Sequence, residues 1–365
     1  MTTRYGGGRD RALGQAPYYD GRVVTTKASE DDSWAIDDPV TDLRLRGGEQ
    51  TFQLPTGDAA LTLSIGAVEG SDIRLRDPSG CVSRHHADLV RERGAWVLHD
   101  RGSTNGIRQD GERRLSVHLT PGVEIDIGEI RLVAESPRLK TLRAFLSRII
   151  GWDRSRVEAV DQAMQAVRAM ATRRAALVLC GAGHLAGTAR RLHNLALGEA
   201  PPFTMYIPSA PPAFDPASNG TYCFVDDALP DDFAVLAAAF ASASSRSRLM
   251  VSSPSRADAT EAMAQLTRSA VLELPSLQTR VHEIERLLLA YAADAAFLHA
   301  APGTGFREHE MQWLRGIHFE ALDEIEELTY RLVAMRNWNV TGGAQRLGIS
   351  HVALSRWAKR RGIPT

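Results

Sequence analysis

At 365 residues, the chain is long enough for two or three domains, and its apolar content of 44% and charged content of 24% are ordinary for a soluble globular protein. A formal net charge of −1 excludes a global attraction to nucleic acid, so any such site must be a local patch. With no run of about eighteen apolar residues and a Gly-, Arg- and Asp-rich start unlike a signal peptide, neither a membrane partner nor secretion is expected. Cys81, Cys180 and Cys223 are widely spaced without C-x-x-C pairing. They read as small buried apolar residues in a reducing, cytoplasmic setting.

Residues 1–40 show no periodicity and read as a disordered tail. From 42 to 136 apolar and polar residues alternate, with turn residues at regular intervals. Arg93-Gly94 separates two alternating runs as in a hairpin, and Asp110-Gly111 is a type I′ turn signal. Val123, Ile125, Ile127, Ile130, Leu132 and Val133 read as closing strands of an antiparallel all-β sandwich. Two motifs stand out within it, Val82-Ser83-Arg84-His85-His86-Ala87 and Asp100-Arg101-Gly102-Ser103-Thr104-Asn105-Gly106.

Together with Ser64-Ile65-Gly66 and Asp72-Ile73-Arg74-Leu75, these motifs make the stretch resemble the forkhead-associated (FHA) domain, a phosphothreonine-reading sandwich with the signature S-R-x-H-A followed by S-T-N-G. The resemblance implies a phosphopeptide site at Ser83 and Asn105, assisted by Arg84 and Thr104. It implies a packing role for His86, with Gly102 and Gly106 shaping the loop. The implied partner is a phosphothreonine-containing protein or a Ser/Thr kinase. The family places an arginine after the first glycine, where this chain has Ala67. An arginine pairs strongly with a phosphate through charge-assisted hydrogen bonds, so Ala67 removes one such partner. The alternative is an FHA fold used as a plain protein-interaction surface.

The pattern then changes. Leu142, Phe145, Leu146 and Ile149 fit one helical face, and Val157, Val160, Met164, Val167 and Met170 another. Residues 137–156 read as a helical linker. Over 157–300, apolar strand-like runs at 175–180, 203–207, 222–225, 249–252 and 271–274 alternate with helical stretches at 184–196, 231–242 and 257–268. That alternation predicts an α/β domain with a parallel sheet. Residues 278–299 and 306–336 read as helices.

Gly220-Thr221-Tyr222-Cys223-Phe224-Val225-Asp226-Asp227 and Leu274-Pro275-Ser276-Leu277-Gln278-Thr279-Arg280 resemble segments of the AAA+ domain of sigma-54-dependent activators. The chemistry of that family is missing. A phosphate-binding loop needs a lysine to neutralise the phosphates. The loop here, Gly181-Ala182-Gly183-His184-Leu185-Ala186-Gly187-Thr188, puts Gly187 in the lysine position when aligned from Gly181. The chain's lysines are Lys27, Lys140 and Lys359, so no alignment supplies one. The sigma-gripping GAFTGA loop is absent as well. Asp226-Asp227 reads as metal- and water-positioning or as a polar strand end. A dinucleotide fingerprint at Gly181, Gly183 and Gly187 would want an acid closing the second strand, and 203–208 has none. The domain is expected to be degenerate, non-enzymatic and without a cofactor or metal.

Residues 337–365 contain no Asp or Glu, whereas the preceding stretch carries Glu320, Asp323, Glu324, Glu326 and Glu327. The pattern from Asn339 through Ala344, Leu347, Gly348, Ile349, Ser350, Leu354 and Arg356 resembles the Fis-type helix-turn-helix that ends sigma-54 activators. Thr341 is a candidate cap for the first helix and Ser350 for the second; Gly348 is the turn. The resemblance implies an all-α DNA-binding domain over 306–365. Ser350, His351, Ser355, Arg356, Lys359 and Arg360 face duplex DNA, since arginine bridges guanine O6 and N7 and the other cations hold phosphates. Gly342-Gly343 weakens the first helix. Leu322, Ile325, Leu328 and Leu332 form a stripe suited to pairing two copies, so a homodimer is expected. The whole reads as a DNA-binding transcriptional regulator with an FHA module and no functional ATPase; an FHA-based signalling scaffold without DNA binding is the alternative.

Overall fold

The computed structural model describes residues 38–363 apart from Asp58, Pro216, Asp226, Asp227 and Ala243. Nearly all of the expected tail over 1–40, and the Asp226-Asp227 pair, therefore lie outside the described residues. The chain divides into two compact units, one built from Pro39–Arg46 and Gln50–Ser136 and the other from Gly47–Glu49 and the chain from Pro137 onward. Among the described residues no helix is long and apolar enough to cross a membrane.

The first unit is a β-sandwich. One sheet contains β1 (Asp42–Leu45), β2 (Thr51–Gln53), β7 (Ile107–Gln109), β8 (Glu112–Arg114), β10 (Glu124–Ile127) and β11 (Ile130–Glu135), in the order β2-β1-β11-β10-β7-β8. The other contains β3 (Thr62–Gly66), β4 (Ile73–Arg74), β5 (Ala87–Glu92), β6 (Ala95–Asp100) and β9 (Ser116–His118), in the order β4-β3-β5-β6-β9. Period-2 alternation works as the sequence implies: along β5 every second residue is fully buried. Ile65, Leu89, Ile107, Ile125 and Leu132 meet in the core. Both short hairpin turns have positive φ at both residues, Arg93 at 52° with Gly94 at 83° and Asp110 at 53° with Gly111 at 78°. That is the type I′ geometry that matches strand twist. Buried Arg44 and Glu135 pair at 2.8 Å between β1 and β11.

The second unit is an α/β layer with further helices. α1 (Pro137–Ile150) and α2 (Val157–Ala171) precede β12 (Ala176–Cys180), α3 (Ala186–Leu197), β13 (Phe203–Met205), β14 (Thr221–Val225) and α4 (Phe233–Ala241). β15 (Arg248–Ser253), α5 (Thr260–Gln265) and β16 (Ser269–Glu273) complete the layer. The sheet runs β13-β14-β15-β12-β16 with every pairing parallel. β15 is buried along its whole length, which is why its sequence shows no alternation.

α1 is part of the core rather than a linker, because Leu139, Leu142, Leu146 and Ile149 are fully buried against the sheet and its neighbouring helices. The stretch read as one helix over 278–299 starts instead as a 3₁₀ segment, Leu277–Glu283, and continues as α6 (Ile284–Leu298). Buried Arg280 explains the join: it donates to the carbonyls of Arg148 and Ile149 at 2.7 Å and pairs with Glu283 at 2.8 Å. It thereby satisfies the open end of α1.

The stretch 306–336 is likewise divided, into α7 (Glu308–Arg315) and α8 (Leu322–Arg346). α9 (His351–Arg360) ends the chain. α8 breaks at Trp338 and Asn339, where φ of Asn339 is 60°, so two helical pieces precede α9. Asn339, not Thr341, caps the second piece: its Oδ1 accepts the Gly342 N–H at 3.0 Å. Gly348, at φ 66°, makes the turn, and Ser350 caps α9 by accepting the Ala353 N–H at 3.1 Å. The stripe Leu322, Ile325, Leu328 and Leu332 is buried inside the chain, in the same core as α1, α2, α3 and the sheet. It offers no surface to a second copy, and the homodimer expectation loses its basis.

Gly343 has a packing role that its helix propensity conceals. A Cβ there would lie 2.9 Å from the Ala334 carbonyl oxygen, so the two pieces of α8 cross backbone to backbone. Gly343→Ala is expected to lower the melting temperature of the full chain. Overpacking costs about 1–3 kcal/mol, against about 1 kcal/mol of improved helix propensity. A melting temperature unchanged or raised by the substitution would show that the crossing yields freely.

Candidate phosphopeptide and nucleic-acid sites

The two signature motifs of the sandwich fold into adjacent loops, one between β4 and β5 and the other between β6 and β7. Fully buried His86 ties them together. Its Nδ1 accepts the Ser83 N–H at 3.0 Å, and its Nε2 lies 3.1 Å from the Gly106 carbonyl and 2.9 Å from Ser103 Oγ. An Nδ1 that accepts leaves the ring proton on Nε2, where it donates across to the second loop. Ser103 Oγ in turn donates to Asp100 and accepts the Gly106 N–H at 3.0 Å. The resemblance implies a packing role for His86 but none for Ser103 and Asp100, which stand in the second motif and carry the tie onward.

On this base the four expected phosphopeptide residues come together. Ser83 Oγ accepts the Thr104 N–H at 3.2 Å, which leaves its hydroxyl proton free to donate. Asn105 Nδ2 donates to the Cys81 carbonyl at 2.8 Å, and its Oδ1 engages no partner among the described residues. Thr104, Asn105 and Arg84 are exposed and Ser83 is half-buried. Asp77 shapes the approach to Ser83 by accepting from Ser79 Oγ and from the Val82 N–H, both at 2.6 Å. The Ser79 hydroxyl first, and then the backbone N–H groups against a small burial effect, hold its carboxyl below the usual range.

Gly66 and Ala67 run alongside these loops. The Ala67 N–H donates to the Ser83 carbonyl at 3.1 Å and the Val68 N–H to that of Arg84 at 3.3 Å. A Cβ on Gly66 would lie 2.0 Å from the Arg84 oxygen, so only glycine permits the approach. Position 67 therefore sits beside Ser83 and Arg84, with a methyl group in place of a cation.

This sandwich, with two histidine-tied loops presenting hydroxyl and amide groups, defines a recognition module. Residues 63–128 match the family model described as FHA domain, and the chain carries an FHA domain. Over 78 residues it is 42% identical to the oxoglutarate dehydrogenase inhibitor of Corynebacterium diphtheriae, across 21% of this chain and 53% of that protein. The chain thus spans about half the length of this curated relative, and the match lies in the FHA part. A solved structure described as a structural and functional analysis of phosphothreonine-dependent FHA domain interactions is 27% identical, with 26% of this chain and 93% of that one covered and a TM-score of 0.23. Mycobacterium tuberculosis EmbR, in complex with a low-affinity phosphopeptide, is 28% identical over 27% of this chain and 24% of that one, with a TM-score of 0.24.

In the second unit, the glycine loop after β12 holds a carboxylate of its own chain. Asp323, in the first turn of α8, accepts the His184 N–H at 3.1 Å. A Cβ on Gly183, where φ is 83°, would lie 2.1 Å from Asp323 Oδ1 and 2.4 Å from the Ala321 Cβ. Glu326 Oε2 lies 3.8 Å from the position of a Cβ on Gly187. Burial raises the Glu326 carboxyl above its usual range; Arg191 opposes the shift and Asp294 reinforces it. A crevice at the carboxyl ends of parallel strands is where such sheets bind ligands, and here α8 closes it.

The C-terminal candidates sit on α9. His351, Arg356, Lys359 and Arg360 are exposed and Ser355 is half-buried. Ser350 commits its side-chain oxygen to the cap. Arg356, Lys359 and Arg360 engage no acid among the described residues. Leu354, Trp357 and Ala358 form the inward face. Trp357 is a buried anchor, with the guanidiniums of Arg331 and Arg361 at 5.2 and 5.0 Å from its ring centre.

The histidine tie sets the value of the phosphopeptide loops. His86→Ala is expected to take the imidazole partner from the Ser83 N–H and the Gly106 carbonyl, at about 1–3 kcal/mol for each buried group left unpaired. The FHA unit should melt earlier, and phosphopeptide affinity should fall although the imidazole is buried beneath the loops. Unfolding followed by calorimetry, with peptide titration beside it, checks this; identical melting in both forms would dismiss the tie.

Proposed function

We propose that the chain is a regulator that reads phosphothreonine through its FHA domain and binds duplex DNA through α9, with no nucleotide hydrolysis. The observation that carries the reading is the pair of loops held by His86, where Ser83, Thr104 and Asn105 converge beside the exposed Arg84. A phosphothreonine brings about two negative charges and acceptor oxygens. Ser83 and Thr104 donate to the phosphate, Arg84 supplies the cation that position 67 lacks, and Asn105 Oδ1 receives a peptide N–H. The partner is a phosphothreonine-containing protein or its kinase.

The DNA half rests on a capped helix with an acid-free outer face and a glycine turn before it, supported by its resemblance to the Fis-type helix-turn-helix. The absence of catalysis is supported by the missing lysine and by the Asp323 carboxylate on the loop amide. Carboxylates there repel a triphosphate.

Two measurements test the halves separately. Ala67→Arg should tighten binding of a phosphothreonine peptide by about 1.5–3 kcal/mol, the range for a hydrogen bond to a charged group, while Arg84→Ala should weaken it. Fluorescence anisotropy with paired phosphorylated and unphosphorylated peptides reads both; equal binding of the two peptides by the native chain would leave a plain interaction surface.

For DNA, the full chain is required because α8 shares the core of the α/β layer. With Lys359 and Arg360 on phosphates of one site, the log–log salt slope should be about −1.8. Lys359→Ala should flatten it by about one unit across all sequences, and Arg356→Ala should cost about 1–3 kcal/mol and relax specificity if it reads a base. No binding at low salt, or binding indifferent to both substitutions, would favour a signalling scaffold without DNA.

A further inference from the structure

The edge of the parallel sheet opposite the glycine loop carries a different kind of site. The strands β12, β15 and β16 begin there, and the chain leaves α2 through Arg173 and Arg174. A cavity of about 470 Å³ opens at this edge. Arg173, Arg174, Arg248 and Arg268 line it, and no Asp or Glu does among the described residues. Met170, Phe240, Leu249 and Leu266 add apolar surface to its lining.

Arg248 is the unusual member. It is buried to 8% exposure, yet it pairs with no carboxylate among the described residues. Its Nε donates to the Ala171 carbonyl at 2.9 Å, and its Nη1 to Asn219 Oδ1 at 2.9 Å. Its Nη2 meets no protein acceptor among the described residues. Burial first, and repulsion by Arg173 second, lower its guanidinium to about 10. A buried charge without a counter-charge is costly, and a second cation beside it adds to that cost.

The neighbouring backbone is shaped to bring Arg173 to the same place. Arg173 ends α2 at φ 60°, a conformation usually left to glycine or asparagine. Its Nη1 donates to the carbonyl of Ser245, and buried Ser245 and Ser247 line the cavity beneath.

We propose that this cleft binds a phosphorylated small molecule, its phosphates on the Arg248 and Arg268 guanidiniums and its apolar part against Phe240 and Leu266. Arginine forks match phosphate oxygens two at a time. The cavity lies within the size range of small-molecule sites. Because Arg248 lies inside the cavity, a small phosphate reaches it and the backbone of a duplex does not. Nucleoside diphosphates have this combination of charge and apolar surface.

Isothermal titration of the full chain with ADP, with pyrophosphate and with adenosine tests the proposal. ADP and pyrophosphate should bind and adenosine should not. Arg268→Glu, at an exposed position that leaves the core intact, should weaken both by about tenfold or more, the loss expected for one charge-assisted hydrogen bond. Arg256→Glu, at the other end of the sheet, should leave binding unchanged. No binding of ADP or pyrophosphate at about 1 mM, an affinity beyond which a specific site has little meaning, overturns the proposal. So does binding indifferent to Arg268→Glu, or adenosine binding as well as ADP does.

Discussion

The inward turn of the apolar face of α8 governs the second unit. Leu322, Ile325, Leu328 and Leu332 are buried with α1, α2, α3 and the strands in one core. Apolar burial of this kind stabilises by roughly 1.5–3 kcal/mol per side chain, so the helix cannot leave the layer cheaply. Its start is thereby delivered to the glycine loop, where Asp323 meets the His184 amide. Its far end carries the crossing at Gly343 and, beyond it, α9. One packed face thus fixes the closed crevice and the base of α9 together.

Sequence and structure agree most closely where short-range chemistry sets the conformation. The turns at Arg93-Gly94 and Asp110-Gly111 demand positive φ and receive it. The strand and helix alternation after Ala175 follows from apolar run lengths. Gly348 and Ser350 fulfil turn and cap because both effects are local. Ser83, Arg84, Thr104 and Asn105 meet at one loop cluster, as the FHA resemblance implies.

What escaped the sequence is partner choice. The α8 stripe says that a face is covered and is silent about what covers it, so pairing of two copies and packing within one chain look alike. Asn339 and Thr341 are both good caps two residues apart, and only the positive φ at Asn339 separates them. Asp77, Asp100 and Ser103 act across turns through side-chain hydrogen bonds that leave no periodic trace. Arg248 opens an apolar strand, and its lack of a counter-charge exists only in three dimensions. The two ends of the sheet consequently differ in sign: carboxylates of α8 crowd the carboxyl end, and guanidiniums gather at the amino end.

The seat of Asp323 on the glycine loop also decides what a cation could do there. A lysine placed at position 187 would not make a phosphate cradle, because its ammonium would arrive close to Glu326, whose Oε2 lies 3.8 Å from the Cβ position, in a loop that already holds Asp323. Opposite charges at such distances attract strongly when partly buried, so the lysine would fasten the helix to the loop. A phosphate site in this loop would therefore need at least two changes at once, a cation added and the carboxylates of α8 removed.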